Sequence, residues 1–289
     1  MKFLITGSSG FIGKHLVSRL ESDGNEVFKI DSTNSGVLDL NNFEDFSKQQ
    51  IEVLIHLAGQ TFVPDSWEKP ADYLKNNLIG TINAIEFSRI IGAKFIYVSS
   101  YIYGSPDYLP IDESHPLKAF NPYGLSKCLS EEVCGFYRDN YSLDVIIIRP
   151  FNIYGPGQKI NFLVPFILDQ LINGTEVSVK DLGPKRDYLF VSDFVDAMIS
   201  LSRNEIKSGI YNLGSGVSYS VKEVIDIAQS ILNTKHKVFE TGERRGNEVM
   251  DVIADIGLIY EACGWKPQWS IQNGLEACID KLKKDQLLK

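Results

Sequence analysis

Residues 6–13 read Thr-Gly-Ser-Ser-Gly-Phe-Ile-Gly and follow directly on the apolar run Lys2–Thr6. A strand that enters a glycine-spaced turn and then a helix leaves few folds open, because such a turn brings bare backbone to the carboxyl edge of a sheet. Gly7 allows the tight turn, Gly10 lets a pyrophosphate approach the main chain, and Gly13 lets the helix lie close to the strand. The helix that opens at Phe11 and Ile12 turns its free N–H groups towards the phosphates. These five residues are expected to cradle a dinucleotide.

The first half of the chain repeats this rhythm. Apolar, β-branched or aromatic runs at 26–30, 53–57, 94–99 and 144–149 alternate with helical stretches at 11–23, 42–49, 70–91 and 122–141. Continuous apolar runs fit parallel strands covered on both faces, so the fold class is α/β with a doubly wound parallel (Rossmann) sheet. After residue 150 a loop, FNIYGPGQ, leads to a helix at 162–173 and then irregular polar sequence to Arg186. Helices at 192–203 and 220–232 flank a strand at 209–213. The expected organisation is a cofactor domain over 1–160 and a smaller mixed α/β C-terminal substrate lobe over 161–289. About 187–215 is expected to return to the first domain.

Charge narrows the partners. Lys+Arg number 29 against Asp+Glu 37, a net charge of −8, which disfavours a nucleic-acid partner. No apolar run reaches the roughly 18–20 residues needed to span a bilayer. The apolar start MKFLI breaks at Thr6-Gly7, too early for a signal peptide. Cys128, Cys134, Cys263 and Cys278 form no CxxC pair and have no His at ligand spacing, so no metal is expected. The expected address is the cytoplasm, away from membranes.

Asp31 ends the second strand-like run, eighteen residues after Gly13. A carboxylate there accepts from both adenosine ribose hydroxyls and repels a 2′-phosphate, which favours NAD over NADP while leaving NADP possible. Asp39 and Leu40 could place a second carboxylate by the adenine amino group.

Tyr123 and Lys127 stand four apart on a helical stretch and so share a face. An ammonium beside a phenol favours phenolate and is expected to lower the tyrosine pKa, giving an acid/base usable near neutral pH. Ser99-Ser100 close the fourth strand at the edge where α/β proteins bind ligands. Ser, Tyr and Lys around a dinucleotide site form a constellation for moving hydride between a carbonyl and a hydroxyl. Asp112 and Glu113 read as solvated turn residues. The tryptophans read as core or anchor residues, and no histidine reads as an acid/base.

With these motifs stand His56-Leu57-Ala58-Gly59, Asn77-Leu78-Ile79-Gly80-Thr81, SSYIYG at 99–104, NPYGLSK at 121–127, RPFNIYGPG at 149–157, Arg186-Asp187 and Gly264-Trp265-Lys266-Pro267. In this order the set resembles the extended short-chain dehydrogenase/reductase family of nucleotide-sugar epimerases, dehydratases and 4-reductases. The resemblance implies NAD(P) in the first domain and a nucleotide-diphosphate sugar in the second. It implies Ser99, Tyr123 and Lys127 as catalytic residues. Leu57, Ala58, Asn77, Pro150 and Ile153 would line the cofactor. Ser100, Asn152, Arg186 and Arg245 would meet the substrate, the arginines taking the diphosphate, with Arg244 adjacent. It also implies a homodimer built through the helices at about 70–91 and 122–141.

The 4,6-dehydratases carry adjacent acidic residues after the catalytic hydroxyl; here Ser100 and Tyr101 stand there, so water elimination has no proton donor. Two enzymatic readings remain. A 4-reductase of NDP-4-keto-6-deoxyhexoses is favoured by Asp65-Ser66-Trp67, by GPGQ at 155–158 and by the spacing from Arg245 to Glu248. An NAD-dependent NDP-hexose 4-epimerase is favoured by Asp31. A silent NAD-binding scaffold or sensor would be marked by loss of Tyr123 or Lys127, and both are present.

Overall fold

The structure, a computed structural model, describes residues 1–31, 39–101, 103–243 and 249–287. The first half builds β1 (Lys2–Thr6), α1 (Phe11–Ser22), β2 (Glu26–Ile30), β3 (Val53–His56), α2 (Val63–Glu68), α3 (Pro70–Leu74), α4 (Gly80–Ile91), β4 (Lys94–Val98), α5 (Pro122–Tyr141) and β5 (Val145–Pro150). The second half adds β6 (Asn152–Tyr154), α6 (Leu163–Asn173), β7 (Glu176–Val179), β8 (Lys185–Phe190), α7 (Val191–Leu201), β9 (Gly209–Leu213), β10 (Ser218–Ser220), α8 (Val221–Leu232), β11 (Lys237–Glu240), α9 (Gly257–Cys263) and α10 (Ile271–Leu287).

Six parallel strands form the main sheet in the order β2-β1-β3-β4-β5-β9. Strand alternation sorts its side chains into two cores. Phe3, Ile5, Val53, Ile55, Ile96, Ile146 and Ile148 pack with α1, α7 and Trp265 on one face. Leu4, Leu54, Phe95, Tyr97, Val145 and Ile147 pack with Ala84, Ile85 and Cys134 on the other. Both faces are covered, which is why the strands read as unbroken apolar runs. Chain order reverses between β1 and β3, so the ligand crevice opens beyond the carboxyl ends of these strands.

A smaller sheet, β10-β8-β6, and a β11-β7 pair complete the C-terminal lobe with α6, α8 and α10. β8 joins the parts: Leu189 enters the core of the main sheet, while Tyr188 and Phe190 enter the lobe's own core. Asp193 on α7 ties down the segment before α10. Its carboxylate accepts from the Gln268 and Trp269 N–H groups at 3.0 Å, and its carbonyl accepts from Trp265 Nε1 at 3.1 Å. α8 starts with a capping box between Ser220 and Glu223, and Asn121 caps α5 by accepting from the Gly124 N–H at 2.7 Å.

Several expectations need correction. The helix read over 42–49 is a 3₁₀ stretch, Leu40–Phe46, begun early because Asp39 caps it. The single helix over 70–91 is interrupted by a π turn at Lys75–Ile79. Residues 152–154, read as loop and placed before the boundary at 160, pair with β8 in the smaller sheet. The irregular stretch ends before Arg186, since β8 begins at Lys185; within 187–215, β8 pairs with β6 and β10, α7 packs in the core of the main sheet and β9 pairs with β5. No helix among the described residues is long and apolar enough to cross a membrane.

Candidate active site

The glycine turn is shaped by what it touches. Gly7 has φ +73°, and a Cβ there would lie 2.8 Å from the Ala58 nitrogen. A Cβ on Gly13 would collide with the carbonyls of Gly7 and Ser8. Gly10 stands at the N-cap of α1 without a side-chain cap, so the first-turn N–H groups are not taken up by a capping side chain. Phe11 is half-buried and packs edge-on against His15 at 5.5 Å, while Ile12 leans on the main core.

Asp31 closes over this turn, accepting from Ser8 Oγ at 2.8 Å and from the Ser9 N–H at 2.9 Å. Burial works to raise its pKa, but these hydrogen bonds outweigh it and hold the carboxyl below its ordinary range. The side chain is exposed, and a carboxylate has further lone pairs for a ligand. Asp39 uses one carboxylate oxygen to accept from the Asn41 N–H at 2.7 Å as a cap. The side chain of Leu40 lies outside the described residues.

Beyond β3, Leu57 and Ala58 are half-buried, and the Ala58 N–H donates to Thr6 Oγ1 at 3.2 Å. Asn77, in the π turn, is 1% exposed and fully engaged. Its Oδ1 accepts from the Gln60 N–H at 2.8 Å, and its Nδ2 donates to the Gln60 carbonyl and to Ser126 Oγ at 3.1 and 2.8 Å. These bonds pin the loop after β3 onto α5. The π turn that makes this possible is a common device at functional sites.

Tyr123 and Lys127 lie buried on one face of α5, as their spacing predicts. Lys127 Nζ donates to the Val98 carbonyl at 2.8 Å and sits 4.9 Å from the centre of the Tyr97 ring. Burial drives its pKa down to about 8, against the opposing pull of Glu131 one turn away. Burial pushes Tyr123 up to about 12, with Ser100 working in the other direction, whereas its spacing to Lys127 led to the expectation of a lowered value. Tyr73 packs edge-on against the Tyr123 ring at 6.5 Å.

Ser99 is 3% exposed and its Oγ has no partner among the described residues, while Ser100 is half-buried. The Ser99 N–H bonds the Ile148 carbonyl at 2.8 Å, so strand alternation puts its side chain on the same face as Tyr97, whose ring Lys127 Nζ approaches; Ser100 is the first residue off the ladder. Pro150 is buried, and Ile153 on β6 leans on the main core.

On the substrate side, Asn152 bonds Tyr101, and Arg186 Nη1 donates to the Lys185 and Val249 carbonyls at 2.8 and 2.7 Å. Arg245, with its neighbour Arg244, lies outside the described residues. Glu113 is not a solvated turn residue: burial raises its pKa, and its Oε1 accepts from the Asn212 N–H at 2.7 Å. His56 is buried and held neutral, its pKa lowered to about 3 by burial and by Lys127. Trp265 is core, Trp269 stacks on Phe190 at 4.2 Å, and Trp67 is exposed.

One feature escaped sequence reasoning. Arg149 Nη2 meets Glu131 Oε2 at 2.6 Å with both side chains 5% exposed, and its Nη1 donates to Tyr103 Oη and the Glu113 carbonyl at 3.0 Å. An arginine inside the run VIIIRP, and a glutamate four residues after Lys127, were its visible signals.

A model of the NAD dependent epimerase/dehydratase family matches residues 3–214. A putative UDP-glucose 4-epimerase from Methanocaldococcus jannaschii is 32% identical over 302 residues, covering 97% of this chain and 98% of that protein. The GDP-6-deoxy-D-mannose reductase of Pseudomonas aeruginosa is 30% identical over 291 residues, covering 96% of each. Among solved structures, UDP-glucose 4-epimerase from Thermotoga maritima with UDP-glucose superposes with a TM-score of 0.92 at 27% identity, covering 99% of this chain and 100% of that one. RMD from Pseudomonas aeruginosa complexed with NADPH gives 0.88 at 29% identity, covering 98% and 99%. TunA, an NAD-dependent NDP-hexosamine 5,6-dehydratase of tunicamycin biosynthesis, gives 0.88 at 30% identity, covering 98% of each.

Proposed function

The chain belongs to the NAD dependent epimerase/dehydratase family, and on that footing we propose that it reduces the C4 carbonyl of an NDP-4-keto-6-deoxyhexose in the cytoplasm. The observation that carries the direction is the stretch Asp65-Ser66-Trp67 together with GPGQ at 155–158, the features that favour a reductase. Tyr123, buried on α5 one turn from Lys127, is placed to give a proton to the carbonyl oxygen.

The glycine cradle and Asp31 fit a nicotinamide dinucleotide, lined by Leu57, Ala58, Pro150 and Ile153. Bound there, the nicotinamide supplies hydride to the sugar carbon. The chain's own groups do the rest. Tyr123 gives its proton to the C4 oxygen, and Ser99, whose Oγ has no partner among the described residues, hydrogen-bonds that oxygen. Lys127 stabilises the tyrosinate left behind and holds the nicotinamide ribose. Arg186 and Arg245 take the diphosphate, for which a guanidinium fork is well shaped. Tyr101 follows Ser100 where a 4,6-dehydratase would carry an acid, so elimination of water is not part of the reading.

A second reading, NDP-hexose 4-epimerase, is favoured by Asp31, since an epimerase regenerates its NAD within each cycle. The test supplies NDP-4-keto-6-deoxyhexoses with NADH or NADPH and follows the absorbance of the reduced nicotinamide. In parallel, UDP- and GDP-hexoses are incubated with catalytic NAD and the products resolved by NMR. Keto-sugar-dependent oxidation supports the reductase. Interconversion of C4 epimers without nicotinamide consumption, and with no such oxidation, overturns it.

The working unit is a homodimer in this reading. Leu78, Ile82, Leu129, Val133, Phe136 and Tyr137 line an apolar groove beside α4 and α5, and Phe136 is 54% exposed. A second copy covering this face would make a four-helix contact. Sedimentation equilibrium tests it, and a monomer at all concentrations rejects it.

A further inference from the structure

Tyr101, next in chain to Ser100, is fixed in place on two sides. Its ring stacks on Phe151 with centroids 5.0 Å apart and planes 16° from parallel, and its hydroxyl donates to Asn152 Oδ1 at 3.0 Å. The orientation of that amide is not arbitrary. Asn152 Nδ2 donates to the Asp187 carbonyl at 3.3 Å, and a carbonyl can only accept, so the amide nitrogen must face Asp187 and the oxygen must face Tyr101. The amide oxygen can only accept in turn, so the Tyr101 proton is committed to it. What the phenolic oxygen has left is lone-pair density: to a ligand it is an acceptor and not a donor.

Its position is bounded as well. Tyr101 follows Ser100 directly off β4, its N–H bonds the Pro150 carbonyl at 3.2 Å, and its hydroxyl rests on Asn152, which pairs with Tyr188 on β8, the strand that carries Arg186. A sugar nucleotide with its C4 at Tyr123 and its diphosphate at Arg186 passes this point with the part of the ring next to the reacting carbon.

We propose that Tyr101 determines specificity by accepting a hydrogen bond from the C3 hydroxyl of the sugar, with its own proton held by Asn152. The proposal rests on the nucleotide-sugar reading of the site and deepens it. A sugar that presents a carbonyl at C3, or no oxygen there, meets an acceptor with nothing to accept.

Calorimetry on the full chain tests this, comparing the wild type with Tyr101→Phe, which keeps the ring and its stack on Phe151. The probes are UDP-glucose and GDP-mannose, their 3-deoxy analogues, and bare UDP and GDP. Tyr101→Phe is expected to weaken the hydroxyl-bearing sugar nucleotide by about 2- to 12-fold, the range of a lost hydrogen bond to a neutral donor. The 3-deoxy analogue and the bare diphosphate should bind both proteins alike. An unchanged affinity for the intact sugar nucleotide overturns the proposal, as does an equal loss for all three probes, which would mark a structural role. A wild type that binds neither sugar nucleotide overturns the nucleotide-sugar reading itself, and this outcome is visible before any variant is compared.

Discussion

Two cations lie buried beside the same helix, and the protein treats them in opposite ways. Arg149 is surrounded: both oxygens of Glu131 face its guanidinium, and Tyr103 and the Glu113 carbonyl take Nη1. Burial works to lower its pKa, but Glu131 reverses the shift and holds it well above the ordinary value. Lys127 has the Val98 carbonyl and a tyrosine ring, and burial wins, bringing it down to about 8. A charge matched on every side ties α5 to β5 and to the segment between β4 and α5. A charge matched on one side is costly to keep and is available to a ligand. The contrast separates the residue that holds the site together from the residue that works in it.

The largest effect expected is on turnover. Tyr123→Phe should retain cofactor affinity and lose roughly 10²- to 10⁴-fold in rate, the usual contribution of a positioned acid–base group. Steady-state kinetics with parallel cofactor titration reads both, and a loss below about tenfold would contradict the role. Arg149→Met should cost about 3–5 kcal/mol of folding stability, because Glu131 is left buried and unpaired. Urea denaturation measures it, and a near-neutral result would erase the contrast between the two cations.

Lys127→Met should break the comparison from the other side, losing turnover while leaving the ligand-free protein as stable as the wild type or more so. Here the sign of the pH dependence is decisive. The folded pKa is below the ordinary lysine value of 10.5, so between about 8 and 10.5 the unfolded chain binds more protons than the native one. Lys127 therefore adds stability as pH rises through that window, and this contribution is lost as pH falls through about 8. Tyr123, raised to about 12, acts in the opposite sense above its ordinary value of 10.0, so the clean interval lies below that. Denaturation at two pH values within it should show an upward component in the wild type that Lys127→Met lacks.

Smaller effects sharpen the site's outline. Ser99→Ala should reduce turnover less than Tyr123→Phe, since a hydrogen bond is lost rather than the proton source. Asp31→Ala should narrow the preference for NADH over NADPH in a fluorescence titration. Tighter NADPH binding by the unaltered protein would remove the carboxylate from the argument for NAD.

The parts of this site readable in the sequence are those whose geometry is local. The glycine turn, Asp31 at its strand end and the four-residue step from Tyr123 to Lys127 follow from one strand, one turn or one helix face. The parts that were not readable depend on partners far along the chain. Arg149 and Glu131 are eighteen residues apart, and Tyr101 and Asn152 fifty-one. β6 and β8 were missed because three residues carry too little pattern, and because β8 alternates between two cores rather than between core and solvent.

The place of β9 has a consequence for how the chain is made. β5, whose six residues are all buried in the finished protein, needs β9 along its outer edge, yet β9 is completed only at residue 213. At about 5–20 residues per second, a ribosome takes roughly 3–12 s to deliver the intervening segment. During that interval VIIIRP is an open, apolar edge on a nascent polypeptide, the kind of surface that recruits chaperones or neighbouring chains. A pause or stop between β5 and β9 would therefore yield an aggregating fragment rather than an isolated cofactor domain.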